Sequence, residues 1–180
     1  MMGPWLLYQL MNGGTIALFT GMSTNANFMR FVQDAKVNCL GVVPSIVKAW
    51  RSVCDKTAAA TSAHYWPYDW SSVTRFSSTG EASDAESSLW LMSRVPEYAP
   101  IIEYCGGTEI AGSFLSSTML QPNVPAMFSL PVCGSRVCIL GSSNEVIFDD
   151  NMVRDRSLHA DDDCETHTGE IALIPPSMGR

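Results

Sequence analysis

The stretch IIEYCGGTEIAG, residues 101–112, decides both the predicted fold and the predicted site of this chain. Its first five residues have the character of a buried strand, and two glycines, Thr108 and Glu109 follow them. A plain turn uses the glycines but does not need a hydroxyl and a carboxylate together. A site for a phosphate group and its metal ion uses all of these residues, because glycines let the backbone approach a ligand and hard cations prefer oxygen ligands.

Apolar, β-branched runs alternate with helical patterns along the residues before this stretch. The runs predict buried strands near residues 15–20, 37–43, 73–78 and 100–105. Helices are predicted over residues 4–12, over 25–35, from an N-cap at Ser45, and from a capping box at residues 83–86. Between them, residues 54–72 are expected to form a long loop with aromatic anchors. This order is typical of an α/β fold with a parallel sheet and crossover helices.

The pattern changes after Gly112. Short strand candidates, SFLSSTM, SRVCIL, EVIF and GEIALI, are separated there by proline, glycine and asparagine. Such a series is typical of antiparallel or barrel-like β structure. The sequence therefore predicts an α/β subregion over residues 1–112 and a β-rich subregion over residues 113–180.

Composition and charge exclude several classes of protein. Hydrophobic residues make up 46% and charged residues 16% of the chain, which is typical of a globular protein. The formal net charge is −7, whereas a nucleic-acid surface needs a basic patch. No apolar run approaches the ~20 residues that span a bilayer. The six irregularly spaced cysteines have apolar neighbours, which indicates reduced thiols in an intracellular protein.

Two glycine segments, SSTGEAS at residues 77–83 and CGGTE at residues 105–109, each follow a predicted strand. Ligands of parallel α/β sheets bind beyond the carboxyl ends of the strands, so we expect the two segments to lie close together. There the backbone N–H groups of the glycines can face a ligand, Thr108 can donate to a phosphate oxygen, and Glu109 can hold Mg²⁺. On the residues alone, two ordinary turns remain the alternative interpretation.

Five blocks of the sequence resemble the adenylate-forming, or AMP-binding, superfamily of acyl-CoA synthetases, luciferases and acyl-activating enzymes. CGGTE resembles the family's Y-G-x-T-E motif, and STGEAS is similar to a G-E-P/A segment that precedes it. The other blocks are MMGPWLLYQLMNGGTIALFTG at residues 1–21, LGVVPSIVKAW at residues 40–50 and THTGEIALIPPSMG at residues 166–179. They follow the family's order across nearly the whole chain, and their sequences most resemble those of plant acyl-activating enzymes.

The resemblance implies a role for each matching residue. Thr108 contacts the α-phosphate of AMP, and Glu109 coordinates Mg²⁺. The residues implied to bind the nucleotide are Gly80, Glu81, Ala82, Tyr104, Cys105, Gly106, Gly107 and Thr108. The residues implied to border the acyl pocket are Met1, Met2 and Gly3. The two methionine side chains offer a flexible apolar wall.

The resemblance further implies a central fragment of the family's large N-terminal domain. In the intact family, ATP and a carboxylic acid give an acyl-adenylate, and coenzyme A then takes the acyl group as a thioester. The family's phosphate loop, its ribose-binding aspartate, its hinge and its C-terminal domain with the catalytic lysine do not occur in these 180 residues. We therefore expect the isolated chain not to turn over. The family includes peroxisomal members, so the resemblance allows either a cytoplasmic or a peroxisomal location for this protein.

The sequence departs from the family's motif at one position, and two alternative interpretations of the chain remain. Cys105 occupies the motif position where the family usually has an aromatic residue that stacks on adenine. A non-catalytic remnant, which folds with or regulates a full-length partner, is the first alternative. The second is an unrelated Rossmann-like nucleotide binder, which predicts a G-x-G-x-x-G after the first strand, and the sequence has none there.

Overall fold

A computed structural model describes Leu7, residues 9–61, residues 66–149 and residues 167–174 of the chain. The helices are α1 (Ala26–Asp34), α2 (Pro44–Thr61) and α3 (Ala85–Met92). The strands are β1 (Cys39–Val42), β2 (Arg75–Ser78), β3 (Ile101–Gly107), β4 (Gly112–Ser116), β5 (Leu130–Pro131), β6 (Val137–Leu140), β7 (Val146–Asp149) and β8 (Glu170–Leu173). None of the helices in these ranges has the length and apolar character needed to cross a membrane.

The strands form two sheets, a five-stranded sheet in the order β1-β2-β3-β4-β5 and a three-stranded sheet in the order β7-β6-β8. β1, β2 and β3 pair in parallel, and α2 and α3 are the crossover helices between them. β4 and β5 continue the same sheet in the antiparallel sense, and the second sheet is antiparallel throughout. The predicted α/β class, the parallel strands over residues 37–43, 73–78 and 100–105, and the antiparallel β structure after them are confirmed.

Aromatic and aliphatic side chains between the parallel strands and the helices form the core. The most deeply buried side chains are Trp50, Trp70, Phe76, Leu91 and Val32. The two tryptophan rings meet edge to face at 5.8 Å, and each indole N–H donates to a backbone carbonyl near α1. These bonds satisfy the only polar atom of each indole, so both rings are buried without an unpaired donor.

The strand predicted over residues 15–20 is wrong. None of the strands that the structure describes pairs with this segment, and Leu18 is 67% exposed. Its β-branched, apolar composition is compatible with a strand, but a strand needs a neighbour that satisfies its backbone N–H and C=O groups. The segment contacts α1 instead through the ring of Phe19, which lies 5.3 Å from the rings of Phe28 and Phe31.

The long loop predicted over residues 54–72 is also wrong in its first part, because α2 continues to Thr61. Residues 54–61, CDKTAAAT, include three alanines, which have the highest intrinsic helix propensity. An ion pair of 3.7 Å between Arg51 and Asp55, one turn apart, also supports this part of the helix. Residues 66–70 are irregular and carry Trp66 and Trp70 into the core region, as predicted.

The predicted starts of two helices need correction. α2 begins at Pro44, where the missing N–H leaves no bond unmade, and Ser45 lies inside the helix and is not its N-cap. α3 begins one residue later than predicted, because Asp84 is the N-cap and its carboxylate accepts from the backbone N–H of Ser87 at 2.8 Å. Glu86 does not close a capping box, since its carboxylate binds the guanidinium group of Arg51. The helix predicted over residues 4–12 is present at Leu7 and at residues 9–11.

Gly106 and Gly107 of the opening stretch lie inside β3, so the prediction that they form a turn after the strand is wrong. β3 runs in parallel with β2 as far as Glu103 and antiparallel to β4 from Tyr104 onward. A Cβ atom on Gly106 would stand 2.0 Å from the backbone carbonyl oxygen of Gly112 in β4. Only glycine therefore allows β3 and β4 to approach so closely at this point, where their register also shifts.

Leu91 and Leu89 of α3 offer a matched test of this core. Leu91 is 1% exposed and Leu89 is 56% exposed. We expect Leu91→Ala to lower the free energy of unfolding by about 2–5 kcal/mol, because it leaves a cavity in the core. Leu89→Ala should change it by about 0.5 kcal/mol or less. Urea denaturation followed by tryptophan fluorescence measures both, and equal losses would contradict the assigned burial.

The two glycines of β3 give a second matched pair. A methyl group at position 106 meets the backbone of β4, which cannot move away cheaply, whereas one at position 107 meets only the flexible end of Glu109. We expect Gly106→Ala to destabilise the fold by about 1–3 kcal/mol, as overpacking does. Gly107→Ala should have the smaller effect in the same denaturation experiment. The reverse order would show that β3 and β4 do not pair in this register.

Candidate functional site

The two glycine segments meet at the carboxyl edge of β2 and β3, as the sequence predicts. Ser78, the last residue of β2, is the register partner of Glu103 in β3. One residue further on, the hydroxyl of Thr79 donates to the backbone carbonyl of Tyr104 at 3.0 Å. This bond joins the start of the loop after β2 to the point where β3 changes from its parallel to its antiparallel neighbour. The carboxyl edge of a parallel sheet is the usual place for a ligand.

The loop after β2 turns sharply at Gly80, whose φ angle is +93°. This conformation is one that side chains with a Cβ rarely adopt, so the glycine is required there. Gly80, Glu81 and Ala82 are all exposed, and Gly80 passes close to Val43 at the end of β1. The backbone of the loop is therefore open to a ligand at the edge of the sheet.

The side chain of Glu81 contacts the first turn of α2. One carboxylate oxygen accepts from the backbone N–H of Ser45 at 3.0 Å, and the other accepts from the Ser45 hydroxyl at 2.8 Å. The carboxylate thereby satisfies a free N–H at the positive end of the helix dipole. Glu81 thus fastens the glycine loop to α2 with its side chain and leaves its own backbone at the exposed face.

The chain reverses direction between β3 and β4 at residues 108–111. The N–H of Ala111 donates to the carbonyl of Thr108 at 3.1 Å, and Ala111 has a φ angle of +50°. Thr108 and Glu109 are both exposed on this turn. The sequence places them correctly at one end of β3, but on a hairpin turn and not directly after a glycine turn.

The donor set on this turn fits a hard divalent cation that is shared with phosphate. Glu109 supplies one carboxylate, and its oxygens lie over Gly107, where a Cβ would overlap them. Within the described part of the chain, no three His, Cys, Asp or Glu residues are grouped to hold a metal ion by themselves. Mg²⁺ commonly takes one or two protein carboxylates and completes its shell with water and substrate phosphates, so a single carboxylate beside a hydroxyl is compatible with it.

Tyr104 and Cys105 lie at the centre of the site, and both are half-buried. Burial raises the pKa of the Cys105 thiol, so the thiol is protonated at neutral pH. The remaining predicted site residues, Met1, Met2 and Gly3, lie outside the described residues.

Sequence reasoning missed three residues that hold the site together: Thr79, Ser45 and Glu103. Thr79 binds β3, Ser45 binds Glu81, and Glu103 accepts from the hydroxyl of Ser83 at 2.9 Å. For Thr79 the sequence did carry an indication of this role, because its hydroxyl stands directly before Gly80. Neither Ser45 nor Glu103 carried one, because their partners are 36 and 20 residues away along the chain.

Comparison with known proteins identifies a family and several relatives. A family model described as "AMP-binding enzyme" matches residues 1–152. The chain is 47% identical over 148 residues to the probable peroxisomal acyl-activating enzyme 17 of Arabidopsis thaliana, a match that covers 82% of this chain and 19% of that protein. It is 48% identical over 141 residues to hexanoyl-CoA synthase of Cannabis sativa, covering 78% of this chain and 18% of that protein. The chain thus spans about a fifth of the length of these curated relatives.

A solved structure shares the fold. The crystal structure of an anthranilate CoA ligase in complex with anthranoyl-AMP superposes with a TM-score of 0.66 at 17% identity, and the match covers 92% of this chain and 27% of that one. At this identity the likeness concerns the fold alone. Because the family model matches most of the chain, at residues 1–152, this chain belongs to the AMP-binding enzyme family.

Proposed function

We propose that residues 80–82 and 104–109 form part of the nucleotide site of an ATP-dependent acyl-activating enzyme. The observation that carries the proposal is the meeting of the two glycine segments at the carboxyl edge of β2 and β3, with Thr108 and Glu109 exposed on the turn beyond it. The chain's membership of the AMP-binding family supports the same assignment. On this basis the chain contributes to the large N-terminal domain of such an enzyme.

The adenine base lies against the two backbone segments in this proposal. Gly80, Glu81 and Ala82 form one side, and residues 104–107 form the other. The exposure of the first segment and the engagement of the Glu81 side chain with Ser45 support a contact made by backbone groups. The Thr108 hydroxyl then donates a hydrogen bond to the α-phosphate, because Thr108 lies on the turn that follows the second segment.

Glu109 would hold Mg²⁺ in the proposed site, as its exposed carboxylate beside Thr108 allows. When bound, the ion neutralises charge on the phosphate groups of ATP. The chain's own residues position the nucleotide: the backbone segments orient the base, and the Thr108 hydroxyl orients the α-phosphate. Positioning and charge stabilisation are the main protein contributions to phosphoryl chemistry.

The proposed reaction has two steps. A carboxylate oxygen of the substrate forms a bond to the α-phosphorus of ATP while the bond from that phosphorus to pyrophosphate breaks. The sulfur of coenzyme A then attacks the acyl carbon, and AMP leaves.

Coenzyme A as the acceptor is supported by the name of the relative hexanoyl-CoA synthase, and a peroxisomal location by that of acyl-activating enzyme 17. Met1, Met2 and Gly3 are proposed to border the acyl chain.

We expect Thr108→Val to lower adenylation about tenfold to a hundredfold. The valine keeps the shape of the side chain but removes a hydrogen bond to a charged acceptor, which contributes about 1.5–3 kcal/mol. The measurement is ATP–pyrophosphate exchange in a full-length acyl-activating enzyme that carries this segment in place of its own. Thr108→Ser, which keeps the hydroxyl, should retain most of the activity.

We expect Glu109→Gln to lower the same exchange rate most strongly at limiting Mg²⁺, and partly to recover at high Mg²⁺, because the change removes the charge that holds the ion. The matched control is Glu97→Gln, which removes the charge of an exposed carboxylate before the other end of β3. Equal rates for the unchanged segment and Glu109→Gln at limiting Mg²⁺ would contradict the metal role. The 180-residue chain alone should show no exchange.

A further inference from the structure

Glu103 is a buried glutamate that the proposed reaction does not use. It is 4% exposed on β3. One carboxyl oxygen, Oε2, accepts from the hydroxyl of Ser83 at 2.9 Å, and the other, Oε1, has no hydrogen-bond partner among the described residues. The neighbouring residues of β3, Ile101 and Ile102, are buried and apolar.

A carboxyl group at this position is not explained by stability. Burying a polar group without a complete set of hydrogen bonds is unfavourable, and one oxygen of this carboxyl group has no partner among the described residues. The start of α3 does not depend on it either. Asp84 caps that helix by accepting from the N–H of Ser87, and its second oxygen lies 3.2 Å from the ammonium group of Lys48.

We propose that Glu103 is a positioning residue, which fixes the end of the glycine loop 79–83 through the hydroxyl of Ser83. The inference rests on the proposed nucleotide site and names a further residue that shapes it. Two adjacent residues of β3 hold the two ends of the loop: the carbonyl of Tyr104 accepts from Thr79, and the carboxyl of Glu103 accepts from Ser83. The segment between these two bonds contains Gly80, whose backbone is the most permissive in the loop.

The two bonds set where the exposed backbone of Gly80, Glu81 and Ala82 stands relative to β3. When a binding loop is ordered before the ligand arrives, the entropy of ordering it does not subtract from the affinity. Loss of the bond at Ser83 therefore weakens the binding of a nucleotide, even though neither Ser83 nor Glu103 contacts it. A residue that merely stabilised α3 would change the melting temperature and leave the affinity of the folded chain unchanged.

The experiment is a double-mutant cycle in the full-length acyl-activating enzyme that carries this segment in place of its own, with AMP as the probe and isothermal titration calorimetry as the measurement. We expect Glu103→Leu and Ser83→Ala each to raise the Kd of AMP about fivefold, as the loss of one hydrogen bond of about 1 kcal/mol predicts. The double variant should bind about as weakly as Ser83→Ala alone, because both changes remove the bond between Ser83 and Glu103, and Ser83→Ala also removes a 3.3 Å contact with the hydroxyl of Ser78. Glu103→Gln keeps an acceptor for Ser83 and should stay within about twofold of the unchanged chain.

Glu86→Gln is the matched control, since it removes the charge that Glu86 of α3 presents to Arg51 of α2 without reaching the loop. It should leave the Kd of AMP unchanged. If the folded enzyme with the unchanged segment does not bind AMP, the proposed nucleotide site and this inference are both contradicted. If it binds AMP, and folded Glu103→Leu binds equally well or the double variant shows additive losses, the positioning role alone is overturned. If Glu103→Leu does not fold, Ser83→Ala decides by the same criterion, because its hydroxyl is only half-buried.

Discussion

The close approach of β3 to β4 at Gly106 is the constraint on which the site depends. β3 has a parallel neighbour on one edge and an antiparallel neighbour on the other, and the change from one to the other occurs between Glu103 and Tyr104. The carbonyl of Gly112 occupies the space where a side chain at position 106 would lie. This contact fixes the register of the hairpin, and the hairpin turn then carries Thr108 and Glu109 beyond the edge of the parallel strands. Glycine is needed here for the packing of two strands before any ligand is considered.

Three glutamates around the site show how environment decides the use of one side chain. Glu81 accepts from the first turn of α2 and fastens a loop. Glu103 is buried and binds a single hydroxyl, while Glu109 is exposed on a turn and free to face a ligand. Of the three, only Glu109 combines an exposed side chain with a carboxylate that no hydrogen bond among the described residues engages, and Thr108 places a hydroxyl beside it, as a shared metal and phosphate site requires.

The parts of the fold that depend on local pattern could be predicted from the sequence. The three parallel strands follow from apolar runs, and the proximity of Gly80 to the CGGTE segment follows from a general rule about the edges of parallel sheets. The strand predicted over residues 15–20 failed because pairing depends on a neighbour that composition does not reveal. The anchors at Ser45, Ser83 and Glu103 could not be found, since each bond joins residues 20 or more positions apart and no spacing in the sequence marks them.

Cys105 stands where the family usually has an aromatic residue, and the register of β3 prevents Tyr104 from taking that place. The tyrosine that could stack on a base stands one position earlier, at Tyr104, and adjacent side chains of a strand point to opposite faces. Moving Tyr104 to the face of Cys105 would require a shift of β3 by one residue, and the contact between Gly106 and Gly112 prevents that shift. Aromatic stacking on a base contributes about 1–3 kcal/mol where it occurs. The proposed site, which has no aromatic side chain at position 105, would depend more on a well-ordered backbone, and the bonds from Thr79 and Ser83 to β3, with that from Ser45 to Glu81, supply this order.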